Sequence, residues 1–221
     1  MEEVKSTGGS RRYRSTVREE GARRTRQAIV AAATELFATR GYVAASLSDI
    51  AATAGVARPT VTAAFGAKPV LLRQALDQAL AGDDEPVAVA DRPWFRPVWD
   101  ATTHHDALVA YAHVCTVIGQ RAGRLFEAVR RAADASPDVA DLWQTTRRNR
   151  RAGAAMVVDH VVELGPLPSG LGREAAVDAV WFFNDPGHYE AMVRECSWPE
   201  SDFTAWLASR LQDAVIGRPP A

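Results

Sequence analysis

Apolar side chains recur at helical spacing through most of the chain, and no stretch alternates polar and apolar residues for long enough to form a strand. The first helix is predicted from Arg23 to Arg40, because its apolar positions lie on one face. Those positions are Ile29, Val30, Ala33, Leu36 and Phe37. Gly41 follows at the point where a helix often ends in a left-handed residue. The pattern predicts an all-α protein.

A short second helix is predicted over residues 47–54. Ser46 and Asp49 form a capping-box sequence, in which the serine oxygen accepts from a free backbone N–H and the acidic residue suits the helix dipole. Gly55 ends this helix. A few residues later a third short helix is predicted.

The third helix is predicted from Arg58 to Phe65. Pro59 is tolerated in the first turn, where backbone N–H groups have no helical partner. Gly66 breaks the pattern again, and Lys68 opens a fourth helix rich in leucine. Two helices this short need the first and fourth helices as a platform.

The remainder of the chain also shows helical patterning. An acidic, proline-containing connector spans residues 83–93. Helices are predicted over residues 104–121, 124–135, 137–164, 172–184, 186–196 and 201–216. The sequence Gly165-Pro166-Leu167-Pro168 ends the longest of them.

The charges are distributed unevenly along the chain. The net charge is −1, but residues 1–82 carry 12 Lys and Arg against 7 Asp and Glu, and residues 83–221 carry 14 against 20. This distribution is expected if only the N-terminal part meets phosphate groups. Residues 1–22 are polar and rich in arginine, and we interpret them as a flexible arm.

Several classes of protein are disfavoured by the sequence. There is no apolar membrane span or secretory leader, and Cys115 and Cys196 have no ligand partner at metal spacing, so a reduced cytoplasmic setting is expected. No glycine-rich phosphate loop, HExxH or G-x-S-x-G motif occurs. The closest approach to a catalytic or metal cluster is residues 104–106, but adjacent helical residues point apart. We expect no enzymatic activity, no cofactor and no metal.

The segment from Ser46 to Lys68 carries the functional prediction. Its apolar residues are spaced to face the platform, which leaves a small, polar set facing outward. The outward set is Ser48, Arg58, Thr60, Thr62 and Ala63. A helix with such a face, at the edge of a basic domain, can enter the major groove of DNA.

Residues 24–76 resemble the DNA-binding domain of the tetracycline-repressor (TetR) family of bacterial regulators. The matching positions are Ile29 to Phe37, Gly41, Tyr42, Ser46 to Ala51, Ala54 to Val56, Thr60, Val61, Phe65, Gly66, Lys68, Leu71 and Leu72. The resemblance implies a three-helix helix-turn-helix domain over residues 23–67, and a helical ligand-binding and dimerisation domain over residues 68–221. The last helices, from Trp181 onward, are similar to those of actinobacterial members.

The resemblance also implies roles for individual residues. Tyr42, Ser46 and Lys68 occupy positions that contact phosphates in the family. The positions that approach base edges or flanking phosphates are held by Ser48, Arg58, Pro59, Thr60 and Thr62. Arg58 is the favoured specificity residue, because a guanidinium can bind guanine O6 and N7 together; the alternative is a solvated residue at a helix start.

Two positions depart from the family pattern. Ala57 stands where a serine or threonine usually caps the recognition helix, and Thr62 stands where a tyrosine usually contacts phosphate. The arginines of the N-terminal region are candidates to compensate by entering the minor groove, as homeodomain arms do. These arginines are Arg11, Arg12, Arg14, Arg18, Arg23, Arg24 and Arg26. A solvated tail without fixed contacts is the alternative.

The family likeness implies a homodimer on a palindromic operator and an effector pocket in the middle helices. The dimerisation candidates are Val177, Trp181, Phe203, Trp206, Leu207 and Leu211. The effector candidates are Trp99, His113, Phe126, Trp143, His160 and Phe183. Core packing within one chain is the alternative for every residue in both sets.

The arginine-rich run of residues 147–151 must wrap around its helix, so at least one arginine should point inward. A buried arginine needs either an acidic partner or an anionic ligand, and the sequence leaves both open.

The expected function is that of a sequence-specific transcription regulator, a repressor that a small molecule releases from DNA by shifting the first and fourth helices. The first alternative is a regulator without a small ligand, controlled by its level or by a protein partner. A helical enzyme is the remaining alternative.

Overall fold

The structure is a computed structural model that describes residues 8–217, with side chains from residue 18 onward. All regular elements within residues 8–217 are helical, which confirms the all-α prediction. The α-helices are α1 (Gly8–Ala44), α2 (Leu47–Thr53), α3 (Arg58–Phe65), α4 (Lys68–Ala81), α5 (Arg96–Trp99), α6 (His104–Ala132), α7 (Pro137–Leu164), α8 (Arg173–Phe183), α9 (Pro186–Tyr189) and α10 (Glu200–Val215). A 3-10 turn occupies Val89–Asp91 and a π-helical turn occupies Glu190–Glu195.

The chain divides into two compact units, Met1–Ala75 and Leu76–Ala221. The boundary falls within α4, somewhat later than the boundary between residues 67 and 68 that the sequence predicts.

The core of the first unit consists of the apolar positions that the sequence analysis places on the inner faces of the helices. All five residues of the predicted α1 stripe are buried. The other buried apolar residues of this unit include Ile50 and Ala51 of α2, Val61 and Phe65 of α3, and Leu71, Leu72 and Ala75 of α4. Since α2 and α3 are too short to be stable alone, this shared core holds them in place.

The first helix is longer than predicted. It begins at Gly8 rather than Arg23, so residues 8–22 of the predicted arm are helical, and residues 1–7 lie outside the described residues. Gly41 lies inside α1 with a φ of 80° and breaks its helical geometry, as expected for a residue near a helix end. The last turn of α1 therefore takes a new direction before α2 begins.

In the second unit α6 packs against α5, α7, α9 and α10, and α8 packs against α7 and α10. The interface is built from fully buried small and branched residues, with two aromatic side chains among them. Examples are Leu108, Ala112, Val157, Val158, Val177, Val180, Tyr189, Phe203, Leu207 and Leu211.

The predicted division of α6 into two helices is wrong. Gly119 and Gly123 lie inside one continuous helix, where they allow another segment to approach closely. A Cβ atom on Gly119 would lie 2.5 Å from Cβ of Tyr189, and one on Gly123 would lie 2.6 Å from Oε1 of Glu190. These glycines therefore accommodate the chain at the junction of α9 and the π-helical turn.

The inward-pointing arginine predicted for the 147–151 run is Arg150, whose side chain is 12% exposed. Its guanidinium donates to Asp185 Oδ2 at 2.6 Å, to Asn184 Oδ1 at 2.9 Å and to the Trp181 carbonyl at 2.7 Å. Asn184 in turn donates to the Tyr111 hydroxyl at 2.9 Å. Of the two possibilities left open by the sequence, the acidic partner is the one present.

Candidate nucleic-acid interface

The outer face of α3 is exposed, as the sequence predicts. Arg58, Pro59, Thr60 and Thr62 are all exposed, whereas Val61 is fully buried. Within the part of the chain that the structure describes, the Arg58 side chain makes no hydrogen bond or ion pair. A free guanidinium at the start of an exposed helix is able to bind a base edge or a phosphate.

The start of α2 is closed by a complete capping box. Ser46 Oγ accepts from the Asp49 backbone N–H at 3.1 Å and donates to Asp49 Oδ2 at 2.6 Å, while the Ser46 N–H donates to the same carboxylate oxygen at 3.0 Å. These hydrogen bonds from Ser46 lower the pKa of Asp49. The Ser46 hydroxyl is therefore already engaged, and Ser48, in the first turn of α2, is exposed.

Tyr42 and Lys68, which the sequence analysis treats as separate phosphate contacts, lie next to each other. Lys68 Nζ lies 4.3 Å from the centroid of the Tyr42 ring and donates to the Val43 carbonyl at 3.4 Å. Partial burial lowers the pKa of Lys68. The ammonium is thus held at the N-terminus of α4, where free backbone N–H groups also favour an anion.

The recognition helix has little capping of its own. Its N-cap residue, Ala57, makes no side-chain hydrogen bond, as predicted from the departure at this position. At the other end, Arg26 of α1 donates from Nη1 to the Ala64 carbonyl at 2.6 Å, and its guanidinium carbon lies 4.4 Å from the centroid of the Phe65 ring.

The prediction that Arg26 is one of the arginines that enter the minor groove is therefore corrected, because its guanidinium already contacts Ala64 and Phe65. Arg18 and Arg24 are exposed on α1. The side chains of Arg11, Arg12 and Arg14 lie outside the described residues. Sequence reasoning missed the link between Arg26 and α3 because the two partners are far apart in the chain and carry no shared local motif.

In the second unit five of the predicted effector residues make ring contacts, at three separate places. Trp99 and His160 meet edge to face at a centroid distance of 5.4 Å, and Phe126 and Trp143 do so at 6.2 Å. Phe183 contacts Phe182 and Trp206 instead. The prediction for His113 is wrong as a pocket residue, because its side chain is exposed on the surface of α6.

The contact between Trp99 and His160 contains an unusual polar atom. His160 Nε2 is buried and has no hydrogen-bond partner among the described residues. Phe95 stacks on the Trp99 ring at 5.0 Å, and Trp99 Nε1 donates to the Ala90 carbonyl at 2.8 Å. The aromatic walls are therefore fixed, and the imidazole presents an unused nitrogen.

Most of the predicted dimerisation residues are core residues of a single chain. Val177, Phe203, Leu207 and Leu211 are at most 2% exposed, so none has a surface for a partner, and the prediction for these four is corrected. The helical spacing that suggests a seam reflects packing inside the second unit. Trp181 and Trp206 remain half-buried.

The described residues contain no group of three or more His, Cys, Asp or Glu side chains that could hold a metal ion. His104 packs against Gly165, whereas His105 lies beside Asp106 on the surface. Across residues 8–217, no helix combines the length and the apolar character needed to cross a bilayer.

Three features define a helix-turn-helix DNA-binding protein. The short helices α2 and α3 are bounded by glycines, they share a core with α1 and α4, and α3 has an exposed polar face. Residues 29–75 match the family described as bacterial regulatory proteins, tetR family. The similarity of this chain to the tetR family therefore lies in its DNA-binding domain. No curated protein matches the sequence significantly.

Over most of its length the chain is also similar in fold to solved structures of transcription regulators. The regulator FadR from Bacillus subtilis, solved in complex with stearoyl-CoA, superimposes with a TM-score of 0.67 at 17% identity, over 87% of this chain and 99% of that one. A transcriptional regulator from Rhodococcus sp. superimposes with a TM-score of 0.62 at 17% identity, over 88% of this chain and 99% of that one. The ketosteroid transcriptional regulator of Mycobacterium tuberculosis superimposes with a TM-score of 0.56 at 16% identity, over 86% of this chain and 94% of that one. At these identities the likeness establishes the fold.

Proposed function

We propose that this protein is a homodimeric, sequence-specific repressor that leaves a palindromic operator when a small molecule binds its second unit. The observation that carries the proposal is the free, exposed guanidinium of Arg58 at the start of α3. In this proposal Arg58 reads a guanine in the major groove, and Thr60 and Thr62 contact neighbouring bases or phosphates.

The phosphate contacts are assigned to the residues that flank α3. Lys68 and Tyr42 bind as one unit, with the ammonium directed by the aromatic ring. Exposed Ser48 and the free N–H groups at the start of α2 form the second contact, and the Ser46 cap keeps that helix end in place. Together they would fix the position of α3 in the groove.

A dimer is proposed because a palindromic operator presents two half-sites about 34–36 Å apart. The surface available for it on α8 includes Ala175 and Phe182, which are exposed and seven residues apart, so they lie on the same face of the helix. On α10 it includes Ala205 and the half-buried Trp206. Phe182 is 59% exposed, so its ring supplies apolar surface that a partner molecule can cover.

For the effector we propose the site at Trp99 and His160. Its support is the unpaired buried His160 Nε2 beside the Trp99 ring, since ligand pockets combine apolar walls with a few polar groups. Stearoyl-CoA, bound by the Bacillus subtilis relative, and a ketosteroid, from the name of the Mycobacterium tuberculosis relative, are the first compounds to test.

A regulator without a small ligand is the second candidate. Its support is the state of Arg150, a buried cation of the kind that could bind an anionic ligand. Asp185 already neutralises Arg150, and each guanidinium nitrogen donates to a protein acceptor, so this cation does not require a ligand.

The DNA-binding proposal is tested by selecting duplexes from a random pool with the purified protein. The selected operator is then titrated with the wild type and with Arg58→Ala. We expect the variant to lose about 1–3 kcal/mol of discrimination at one base pair of each half-site. Arg73→Ala, which removes an exposed arginine from α4, is the matched control and should leave discrimination unchanged. Equal binding of all duplexes by the wild type would refute the proposal.

The effector proposal is tested by adding stearoyl-CoA or a ketosteroid to the operator complex. Release from the operator that is lost in His160→Ala supports the site. Release that persists in that variant places the ligand elsewhere, and the absence of release by any compound favours the second candidate.

A further inference from the structure

The recognition helix is held at its C-terminal end by a residue from another helix. Arg26 of α1 donates to the Ala64 carbonyl at 2.6 Å and lies over the Phe65 ring at 4.4 Å. Ala64 is one of the last residues of α3, whose final carbonyl groups have no partner within the helix. The contact therefore satisfies an acceptor that would otherwise face water.

The charge of Arg26 also matches the electrostatics of the helix end. The C-terminus of a helix carries a partial negative charge, and α3 has no basic residue of its own in its last turn. Its N-terminus has no side-chain cap either, because Ala57 makes no side-chain hydrogen bond. In this helix of eight residues, Arg26 therefore supplies a side-chain cap at the C-terminal end.

We propose that Arg26 is a positioning residue for DNA recognition, which sets the orientation of α3 without touching DNA itself. This inference rests on the proposed DNA-binding function. The side chain fixes α3 in two ways, by a hydrogen bond to its backbone and by packing on Phe65, whose own side chain is buried in the shared core. An error in the angle of α3 would displace Arg58, at the far end of the same short helix, from the base that it reads.

The geometry requires arginine rather than any cation. A planar guanidinium can stack on an aromatic ring and still donate a hydrogen bond at its edge, whereas the ammonium of lysine is a compact, strongly hydrated point charge. We therefore expect Arg26→Lys to behave more like Arg26→Ala than like the wild type.

The test measures binding of Arg26→Ala, Arg26→Lys and Arg73→Ala to the selected operator and to a duplex of unrelated sequence, over a range of salt concentrations. Arg73 is the matched control, because it is an exposed arginine of the same unit and has no assigned role in DNA binding. For both Arg26 variants we expect the operator affinity to fall about tenfold, as for the loss of one charge-assisted hydrogen bond. Their affinity for the unrelated duplex and their salt dependence should equal those of Arg73→Ala.

A direct phosphate contact gives a different result. Its removal would weaken binding to both duplexes and reduce the slope of log affinity against log salt by about 0.9 for each phosphate that is no longer neutralised. This outcome would overturn the proposal. Equal operator affinities for Arg26→Ala and Arg73→Ala would overturn it as well.

Amide hydrogen exchange without DNA separates this inference from the proposed function. If Arg26 holds α3, the amides of α3 exchange faster in Arg26→Ala than in the wild type, while those of α2 change less. If wild-type protein shows no sequence preference, the proposed function fails, and exchange still decides whether Arg26 holds the helix. Unchanged exchange in α3 contradicts the positioning role.

Discussion

The ammonium of Lys68 lies 4.3 Å from the centroid of the Tyr42 ring, so the last turn of α1 and the first turn of α4 present one combined surface to an anion. The ring restricts the lysine side chain and removes part of its hydration. As a result, less conformational entropy remains to be lost when the ammonium meets a phosphate.

The pair predicts non-additive effects on DNA binding. Lys68→Ala should weaken operator binding and reduce its salt slope by about 0.9 for each phosphate that the ammonium neutralises. Tyr42→Leu should also weaken binding, and the double variant should lose less affinity than the two single variants combined, because each residue acts through the other. Titrations at several salt concentrations measure all three variants. Fully additive effects would show that the two residues bind independently.

The capping box at Ser46 predicts a stability effect that depends on pH. Ser46→Ala should destabilise the first unit by about 1 kcal/mol at neutral pH, and Ser48→Ala is the control in the same helix. Because the pKa of Asp49 is lowered in the folded protein, its contribution is present above the unfolded pKa of about 4 and is lost as the pH falls through the lower folded pKa. Denaturant unfolding from pH 7 down to about pH 3 should therefore show the two stability curves converging.

The buried Arg150 predicts a large loss of stability on substitution. Arg150→Met removes the partners of Asp185, Asn184 and the Trp181 carbonyl together, and should cost about 3 kcal/mol. Arg147→Met is the control, because Arg147 lies over the same Trp181 ring at 5.5 Å but is exposed. It should cost less than about 1 kcal/mol in the same unfolding measurement. Similar costs for both variants would mean that the buried network contributes no more than the surface contact.

The close approach at Gly119 predicts opposite outcomes for two glycine substitutions. Gly119→Ala places a methyl group 2.5 Å from Cβ of Tyr189 and should destabilise the second unit by about 1–3 kcal/mol. Gly153→Ala, inside α7 with no atom within 4 Å of the new Cβ, should be neutral or stabilise by up to about 1 kcal/mol. Thermal unfolding of both variants checks the sign of each change.

The exposed Phe182 predicts an effect on assembly. If α8 forms the dimer surface, Phe182→Glu should shift the protein towards monomer in analytical ultracentrifugation. Its melting temperature should equal that of the wild type when the two proteins are compared at the same fraction of monomer. Phe203→Ala, in the core of the same unit, should lower the melting temperature instead, with a cost of about 3–5 kcal/mol. A Phe182→Glu variant that stays dimeric would place the interface on another face.

The boundaries of α3 and the start of α4 are predictable because the signals are local. Proline and glycine act on the backbone within one or two residues of where they stand, and Val61 and Phe65 show their burial through spacing alone. The exposed face of α3, with Arg58 at its start, follows from the same spacing.

The errors arise where a distant contact decides the outcome. Gly119 and Gly123 resemble helix breaks, but their role is set by Tyr189 and Glu190 across the core. A stripe of apolar residues is expected both in the core of one chain and in a dimer interface. The pattern therefore assigns Phe203 and Leu211 to a dimer interface, although both are buried in the core of the second unit. The capping of α3 by Arg26 joins residues 38 positions apart, and no local pattern indicates it.

The placement of the α3 contacts has a consequence for how this protein can evolve. Val61 and Phe65 secure the inner side of the helix, and Arg26 secures its end from outside, so the residues that face outward contribute little to folding. Positions 58, 60 and 62 can therefore change with small effects on stability. New operator preferences are accessible to this scaffold by single substitutions, without compensating changes in its core.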